Sequence, residues 1–116
     1  MIYETLTYAV DHNVAVITLN RPKVMNALNS QMRAEITDAV RQAGQATRVV
    51  VLTGSGRAFC SGQDLGAEGN FADIDLERTL KDEYVPMLKA ITECPVPTIS
   101  AVNGPAAGAG ANLALA

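Results

Sequence analysis

The spacing of apolar and polar residues changes several times along the chain, and each change marks a new predicted element. Residues 2–10 mix β-branched, aromatic and polar side chains, and residues 14–19 read Val-Ala-Val-Ile-Thr-Leu, so both segments predict strands. Asp11, His12 and Asn13 lie between them and are turn formers, which indicates a β-hairpin. The second strand should end before Pro22, because proline has no N–H to donate to a sheet.

A helical pattern follows, and Asn29 or Ser30 can cap its start. The apolar residues that recur at helical spacing are Met32, Ile36, Ala39, Val40 and Ala43. Gly44 is a suitable C-terminal end for this helix. Residues 48–53 are then almost continuously apolar, which is typical of a parallel strand covered on both faces.

A second helical pattern begins at Asp75, and we expect Pro86 to kink it or to divide it in two. Its core-facing stripe consists of Leu76, Leu80, Tyr84, Leu88 and Ile91. Residues 98–102 predict another buried strand, and the small residues 106–110 open a last helix. The order β-β-α-β-α-β-α indicates an α/β layered domain with right-handed crossovers.

Composition excludes several classes of protein. The 116 residues include 9 Lys+Arg and 12 Asp+Glu, with a net charge of −3 and 48% hydrophobic residues, which is typical of one ordered domain. The basic residues are scattered, so nucleic-acid binding is not indicated. The sequence shows neither a signal peptide nor an apolar run long enough for a membrane span, and its two cysteines indicate no disulfide framework. We therefore expect a cytoplasmic protein with reduced thiols that binds no membrane.

Two turns rich in small residues carry the candidate chemistry, and each follows an apolar strand. The first turn spans residues 54–64, and the second spans residues 103–110. Ligands of parallel α/β sheets bind beyond the carboxyl ends of the strands, and small residues let a ligand approach main-chain N–H groups. One N–H from each turn can form a two-donor oxyanion hole. The alternative is that the glycines only permit tight turns.

Other catalytic motifs fit poorly. Phe59 occupies the place of the third glycine of a dinucleotide-binding loop, and Ser61 lacks the flanking glycines of a nucleophile elbow. The only histidine, His12, falls in the predicted hairpin turn, and no His/Cys cluster has the spacing of metal ligands. Cys60 has no nearby base that would activate it, and Asp64 is either an acid or a residue that orients the loop.

Four motifs occur in order along the chain. They are Leu19-Asn20-Arg21-Pro22 with Met25-Asn26-Ala27-Leu28, Leu52-Thr53-Gly54, Ala58-Phe59-Cys60-Ser61-Gly62-Gln63-Asp64-Leu65, and Ala101-Val102-Asn103-Gly104 with the Ala/Gly-rich turn. Together they resemble the N-terminal half of the enoyl-CoA hydratase/isomerase (crotonase) family over nearly the whole chain. Segments 60–65 and 107–111 are most similar to the enoyl-CoA isomerases of phenylacetate degradation.

The resemblance implies a crotonase-like (ClpP/crotonase) spiral of ββα units that forms trimers or hexamers. Residues 1–116 would be the N-terminal portion of a single such domain, because the chain stops where its last helix has only begun. The resemblance also implies an acyl-CoA thioester substrate and no cofactor besides the coenzyme A of that substrate. The implied oxyanion donors are the backbone N–H groups of Ser61 and Ala109. The implied substrate-binding residues are Lys23, Met25, Ala27, Ser61, Gly62, Gln63, Asp64, Leu65 and Gly108.

One departure from the family pattern bears on the reaction. Many hydratases of the family carry a catalytic glutamate where this sequence has Asn112, and an amide exchanges no proton near neutral pH. We therefore expect an acyl-CoA isomerase, in which the oxyanion hole stabilises a thioester enolate while a carboxylate beyond Ala116 moves a proton. The alternatives are an enoyl-CoA hydratase with other proton donors and a non-catalytic CoA-binding or assembly module.

Overall fold

The computed structural model describes residues 2–64 and 75–116, so the predicted site residue Leu65 lies outside the described residues. The strands are β1 (Leu6–Asp11), β2 (Val14–Leu19), β3 (Val49–Gly54) and β4 (Thr98–Ala101). The helices are α1 (Ser30–Ala46), α2 (Leu76–Thr79), α3 (Val85–Thr92) and α4 (Ala109–Leu115). A π-helical segment (Leu80–Tyr84) joins α2 to α3, and a 3₁₀ turn (Pro22–Val24) follows β2. The predicted order of elements is confirmed, with the 3₁₀ turn as an addition.

The four strands form one mixed sheet in the order β1-β2-β3-β4. β1 and β2 are antiparallel, and the turn between them consists of His12 and Asn13, whose φ angles are 50° and 64° as two-residue hairpins prefer. β2, β3 and β4 are parallel. Thr53 of β3 pairs with Ala101 of β4, so the carboxyl ends of these strands lie side by side. The two candidate turns therefore leave the sheet at the same edge.

α1 starts and packs as the sequence predicts, but it ends later. The Asn29 side chain accepts a hydrogen bond from the Met32 N–H at 2.8 Å and caps the helix. The prediction that Gly44 ends α1 is wrong, because the helix continues to Ala46. Gly44 instead lies where α1 approaches Pro95, and an added Cβ would be 3.0 Å from the Pro95 Cδ. This glycine therefore permits close packing.

The predicted core stripe of the second helical region is wrong for Leu76 and Leu80, which are 45% and 55% exposed. The π-helical segment causes the difference, since the Val85 N–H donates to the Leu80 carbonyl five residues earlier. Consecutive buried residues on this face are therefore five positions apart, at Thr79 and Tyr84. The interruption expected at Pro86 is this π-helical segment, which ends just before the proline. The chain stays helical from Leu76 to Thr92.

The expectation that β3 and β4 are buried on both faces is also wrong for the described residues. Val50 and Leu52 face the core, whereas Val51 is half-buried and Ile99 is 51% exposed. Within residues 2–64 and 75–116, the core forms between one face of the sheet and helices α1 and α3. β4 is one of the two edge strands formed by the described residues, so its apolar side chains have fewer neighbours.

Glu35 of α1 is buried, with 3% of its surface exposed, and it anchors the N-terminal segment. Its carboxylate accepts hydrogen bonds from the backbone N–H and the hydroxyl of Thr5, both at 2.8 Å. Burial acts to raise the pKa of Glu35, but hydrogen bonds from Thr5, Gln31 and Glu4 outweigh it, and the pKa lies below its ordinary value. The helices formed by the described residues include none with the length and apolar character needed to cross a membrane.

Candidate active site

The two glycine-containing turns are joined through main-chain hydrogen bonds. The Phe59 N–H donates to the Pro105 carbonyl at 3.0 Å, and the Ala107 N–H donates to the Cys60 carbonyl at 3.1 Å. Cys60 and Ala106 thereby form a short parallel bridge. The turns thus meet beyond the carboxyl ends of β3 and β4, as their places in the sequence predict.

Two glycines make this contact possible. A Cβ added at Gly104 would overlap the Arg57 carbonyl oxygen, and one added at Gly110 would overlap the Cys60 carbonyl oxygen. Both neighbouring atoms belong to the main chain, which cannot move aside as a flexible side chain can. These glycines therefore serve the close approach of the two turns.

Asn26 is fully buried, and its side chain hydrogen-bonds to the main chain of the first turn. Its carboxamide oxygen accepts from the Arg21 N–H at 2.8 Å, and its nitrogen donates to the carbonyls of Ser55 and Ala58, both at 3.0 Å. The same nitrogen lies 3.2 Å from the Phe59 carbonyl oxygen. Asn26 belongs to the first of the four sequence motifs, but the sequence alone assigns it no role. A polar residue amid an apolar segment was the available signal.

Asn103, in the second turn, also hydrogen-bonds to the main chain of the first turn through its side chain. Its oxygen accepts from the Gly54 N–H at 3.0 Å, and its nitrogen donates to the carbonyls of Gly56 and Ala58, both at 3.1 Å. The first turn is therefore fixed by two asparagine side chains that come from different parts of the chain.

The predicted oxyanion donors lie on these joined turns. Ala109 is the first residue of α4, and the first N–H groups of a helix have no acceptor within the helix. An added Cβ at Gly62 would be 3.7 Å from the Ala109 nitrogen, so the segment that contains Ser61 runs beside α4. The Ser61 N–H donates to the Met25 carbonyl at 3.0 Å. A ligand oxygen would have to share this N–H in a three-centre bond or displace Met25.

The residues predicted to contact coenzyme A lie around the 3₁₀ turn. Lys23 is exposed on it, Met25 follows it with a φ of 54°, and Ala27 is buried. The Arg21 guanidinium donates to the Ala27 carbonyl and forms an ion pair with Asp64 at 2.9 Å. Of the two roles left open for Asp64, this ion pair favours the orienting one.

A cavity of about 140 Å³ adjoins these turns. Its walls come from the first turn, the helical region 80–88 and α4. The lining residues are Gln63, Leu80, Tyr84, Met87, Leu88, Ala109 and Asn112. Leu80, which the prediction placed in the core, instead forms part of this wall. The cavity is mostly apolar, and amide and hydroxyl groups are its polar features.

Two further chemistries find no support among the described residues. Residues 2–64 and 75–116 bring together no group of three His, Cys, Asp or Glu side chains that could hold a metal ion. Burial raises the pKa of the Cys60 thiol, although the Gly62 N–H acts in the opposite direction. A buried thiol with a raised pKa is a poor nucleophile. The predicted position of His12 in the hairpin turn is confirmed, and its side chain is exposed there.

Several solved structures with the same fold bear the name enoyl-CoA hydratase or enoyl-CoA hydratase/isomerase. An enoyl-CoA hydratase/isomerase from Xanthobacter autotrophicus superposes with a TM-score of 0.88 at 37% identity, over 98% of this chain and 44% of that chain. The described part of the molecule thus has the crotonase fold. The sequence profile described as enoyl-CoA hydratase/isomerase matches residues 9–116, and the chain belongs to that family. The predicted fold class and family are confirmed.

Curated relatives carry both names of the family. A probable enoyl-CoA hydratase from Rhodobacter capsulatus is 59% identical over the whole chain, which covers 45% of that protein. The 1,2-epoxyphenylacetyl-CoA isomerase of Escherichia coli is 40% identical over 91% of this chain and 42% of its own length. The chain therefore spans somewhat less than half the length of these relatives.

Proposed function

We propose that this chain provides the oxyanion hole and part of the acyl cavity of an acyl-CoA isomerase. The observation that carries the proposal is the position of Ala109. Its N–H belongs to the turn that is joined to the Ser61 turn, and Ala109 also lines the cavity. A thioester oxygen at this place would accept from Ala109 and from Ser61, with its acyl group in the cavity.

The proposed chemistry is a proton shift through an enolate. A carboxylate beyond Ala116 removes a proton from the α-carbon, and the electrons of that C–H bond move into the thioester, leaving negative charge on its oxygen. The proton returns at a different carbon, so the double bond moves while the overall composition is unchanged. Main-chain N–H groups stabilise the charged oxygen, and loss of one such donor typically costs about 10²–10³ in rate.

Substrate binding follows the same proposal. Lys23, Met25 and Ala27 would contact the nucleotide part of coenzyme A, while Gly62 to Leu65 and Gly108 would line the thioester. Coenzyme A enters as part of the substrate, and the proposed chemistry requires no separate cofactor. We propose that the protein with its complete coding sequence assembles as a trimer or hexamer.

Asn112 distinguishes the isomerase from the second candidate, an enoyl-CoA hydratase. Asn112 lines the cavity three residues after Ala109, on the same face of α4. An amide there can hydrogen-bond to a substrate or a water molecule but cannot transfer a proton near neutral pH. The hydratase is favoured instead by the 59% identity to a relative named probable enoyl-CoA hydratase.

The deciding experiment uses the protein expressed from its complete coding sequence. It is offered a 3-enoyl-CoA, to measure the double-bond shift, and crotonyl-CoA, to measure hydration. A fast shift with slow hydration supports the isomerase, whereas fast hydration without a shift supports the hydratase. Asn112→Glu should raise hydration, and Asn112→Gln is its uncharged control. Absence of both reactions, with retained CoA-thioester binding, would favour the non-catalytic binding module.

The oxyanion donor itself can be tested by Ala109→Pro. Proline is well tolerated as the first residue of a helix, so this change deletes the N–H with little effect on folding. We expect turnover to fall by about 10²–10³. Ala109→Ser keeps the N–H and serves as the matched control. Equal activity of the two variants would exclude Ala109 as a donor.

A further inference from the structure

Arg33 is a fully buried cation in the first turn of α1, with 0% of its surface exposed. Its Nε and Nη2 atoms each lie 2.9 Å from Oε1 of Glu83, and its guanidinium lies 4.7 Å from the ring centre of Tyr84. A buried ion pair contributes little net stability compared with well-packed apolar residues of similar size. The contacts of Arg33 with other groups therefore indicate what it does.

One of these contacts leads to the main chain of the first turn. Nη1 of Arg33 donates to the Leu28 carbonyl at 2.9 Å. The same carbonyl accepts from the Asp64 N–H at 2.8 Å, and the Leu28 N–H donates to the Gly62 carbonyl at 2.7 Å. Leu28 thus binds both ends of the segment Gly62–Asp64, and Arg33 fixes the orientation of its carbonyl.

Another contact of Arg33 leads to the Gln63 side chain, in the middle of that segment. Nη1 of Arg33 also donates to the Tyr84 hydroxyl at 3.2 Å, and this hydroxyl donates to Oε1 of Gln63 at 3.5 Å. Tyr84 is 5% exposed, and both Tyr84 and Gln63 line the acyl cavity. Arg33 therefore reaches Gln63 from two directions, through Leu28 and through Tyr84.

We propose that Arg33 and Tyr84 are positioning residues that hold Gly62–Asp64 against the acyl cavity, the backbone through Leu28 and the Gln63 side chain through the Tyr84 hydroxyl. This proposal rests on the proposed function of the site. Tyr84→Phe removes one oxygen atom and leaves the ring in place. Because one hydrogen bond contributes about 1 kcal/mol, we expect about a fivefold rise in KM with kcat changed less than KM.

Arg33 is tested without leaving an unpaired buried charge by the double variant Arg33→Met with Glu83→Leu, since Arg78, which also pairs with Glu83, is more than half exposed. It should retain the wild-type melting temperature but lose at least about tenfold in kcat/KM, since both routes to Gln63 are lost. Arg33→Lys should fail to restore activity, because an ammonium group cannot replace the planar fork of donors. Arg41→Met removes an exposed arginine from the same helix and is the matched control.

The readout that separates positioning from general stability is spectroscopic. A conjugated dienoyl-CoA absorbs at longer wavelength when its thioester carbonyl is polarised, so one titration of the complete protein gives both affinity and polarisation. If the wild-type protein neither binds this probe nor shifts its absorption, the proposed function itself fails. If the wild type does both, Tyr84→Phe should bind about fivefold more weakly, and the double variant should show a smaller shift. If both variants bind the probe with wild-type affinity and shift its absorption as far as the wild type does, the positioning role is overturned. If the double variant has a lower melting temperature than the wild type, the result with Tyr84→Phe alone decides.

Discussion

Asn26→Ala should destabilise the protein far more than a typical exposed substitution. The Asn26 side chain makes four contacts within hydrogen-bond distance, one with the Arg21 N–H and three with the carbonyls of Ser55, Ala58 and Phe59. Truncation removes the Asn26 partner from all four groups, and the Ala58 carbonyl keeps the donor from Asn103, so we count three lost hydrogen bonds.

The size of the effect follows from these contacts. Three lost hydrogen bonds at about 1 kcal/mol each give about 3 kcal/mol. The φ of Asn26 is 57°, and alanine in this left-handed region costs about 1 kcal/mol more. The expected total is about 4 kcal/mol, a large part of the 5–15 kcal/mol by which a typical domain is stable.

Urea unfolding followed by circular dichroism measures this loss, with the protein expressed from its complete coding sequence. Asn29→Ala is a matched control, because Asn29 makes one capping hydrogen bond and its loss costs about 1 kcal/mol. If Asn26→Ala costs no more than Asn29→Ala, the side chain of Asn26 does not hold the first turn as described.

Three other predictions concern the turns, the N-terminal anchor and the thiols. Gly110→Ala should destabilise by about 3 kcal/mol, because its Cβ would meet the main chain of Cys60. A loss no larger than that of Asn29→Ala in the same urea titration would contradict the steric argument. The pKa of Glu35 is lower in the folded state, so its stabilisation is present above pH 4.5 and is lost as pH falls through the folded pKa. Glu35→Gln should therefore be less acid-sensitive than wild type between about pH 5 and 3, and parallel curves would refute this. Iodoacetamide should label half-buried Cys94 before buried Cys60, whose pKa is raised, as peptide mass spectrometry will show. Equal labelling rates would contradict that expectation.

Most of the elements are predictable because their signals are local. His12 and Asn13 adopt the positive φ values that a two-residue hairpin turn needs, and Asn29 caps α1 three residues before the N–H it binds. The meeting of the two turns also follows, because the carboxyl ends of adjacent parallel strands share one edge.

The failures arise where a residue depends on a distant partner or on a change of helical period. The residues near Arg33 in the sequence do not predict its pairing with Glu83, which lies fifty positions away. Leu80 fits a regular helical stripe, and only the extra residue of the π-helical turn moves it from the core to the cavity wall. The Met25 carbonyl likewise reaches the Ser61 N–H through a loop path that spacing does not reveal.

Apart from the Asn103 side chain, the joint between the two turns is made by main-chain atoms, which every residue type carries. Its geometry therefore depends on side-chain identity at few places: at Asn103, where a Cβ would intrude at Gly104 or Gly110, and where proline would remove an N–H. Much of the cavity wall, by contrast, consists of side chains of the helical region 80–88. Mutations at Leu80, Met87 or Leu88 can thus reshape the wall while the joint stays in place. A lineage of such proteins can acquire a new acyl preference by changing one helix and inherit its donor geometry intact.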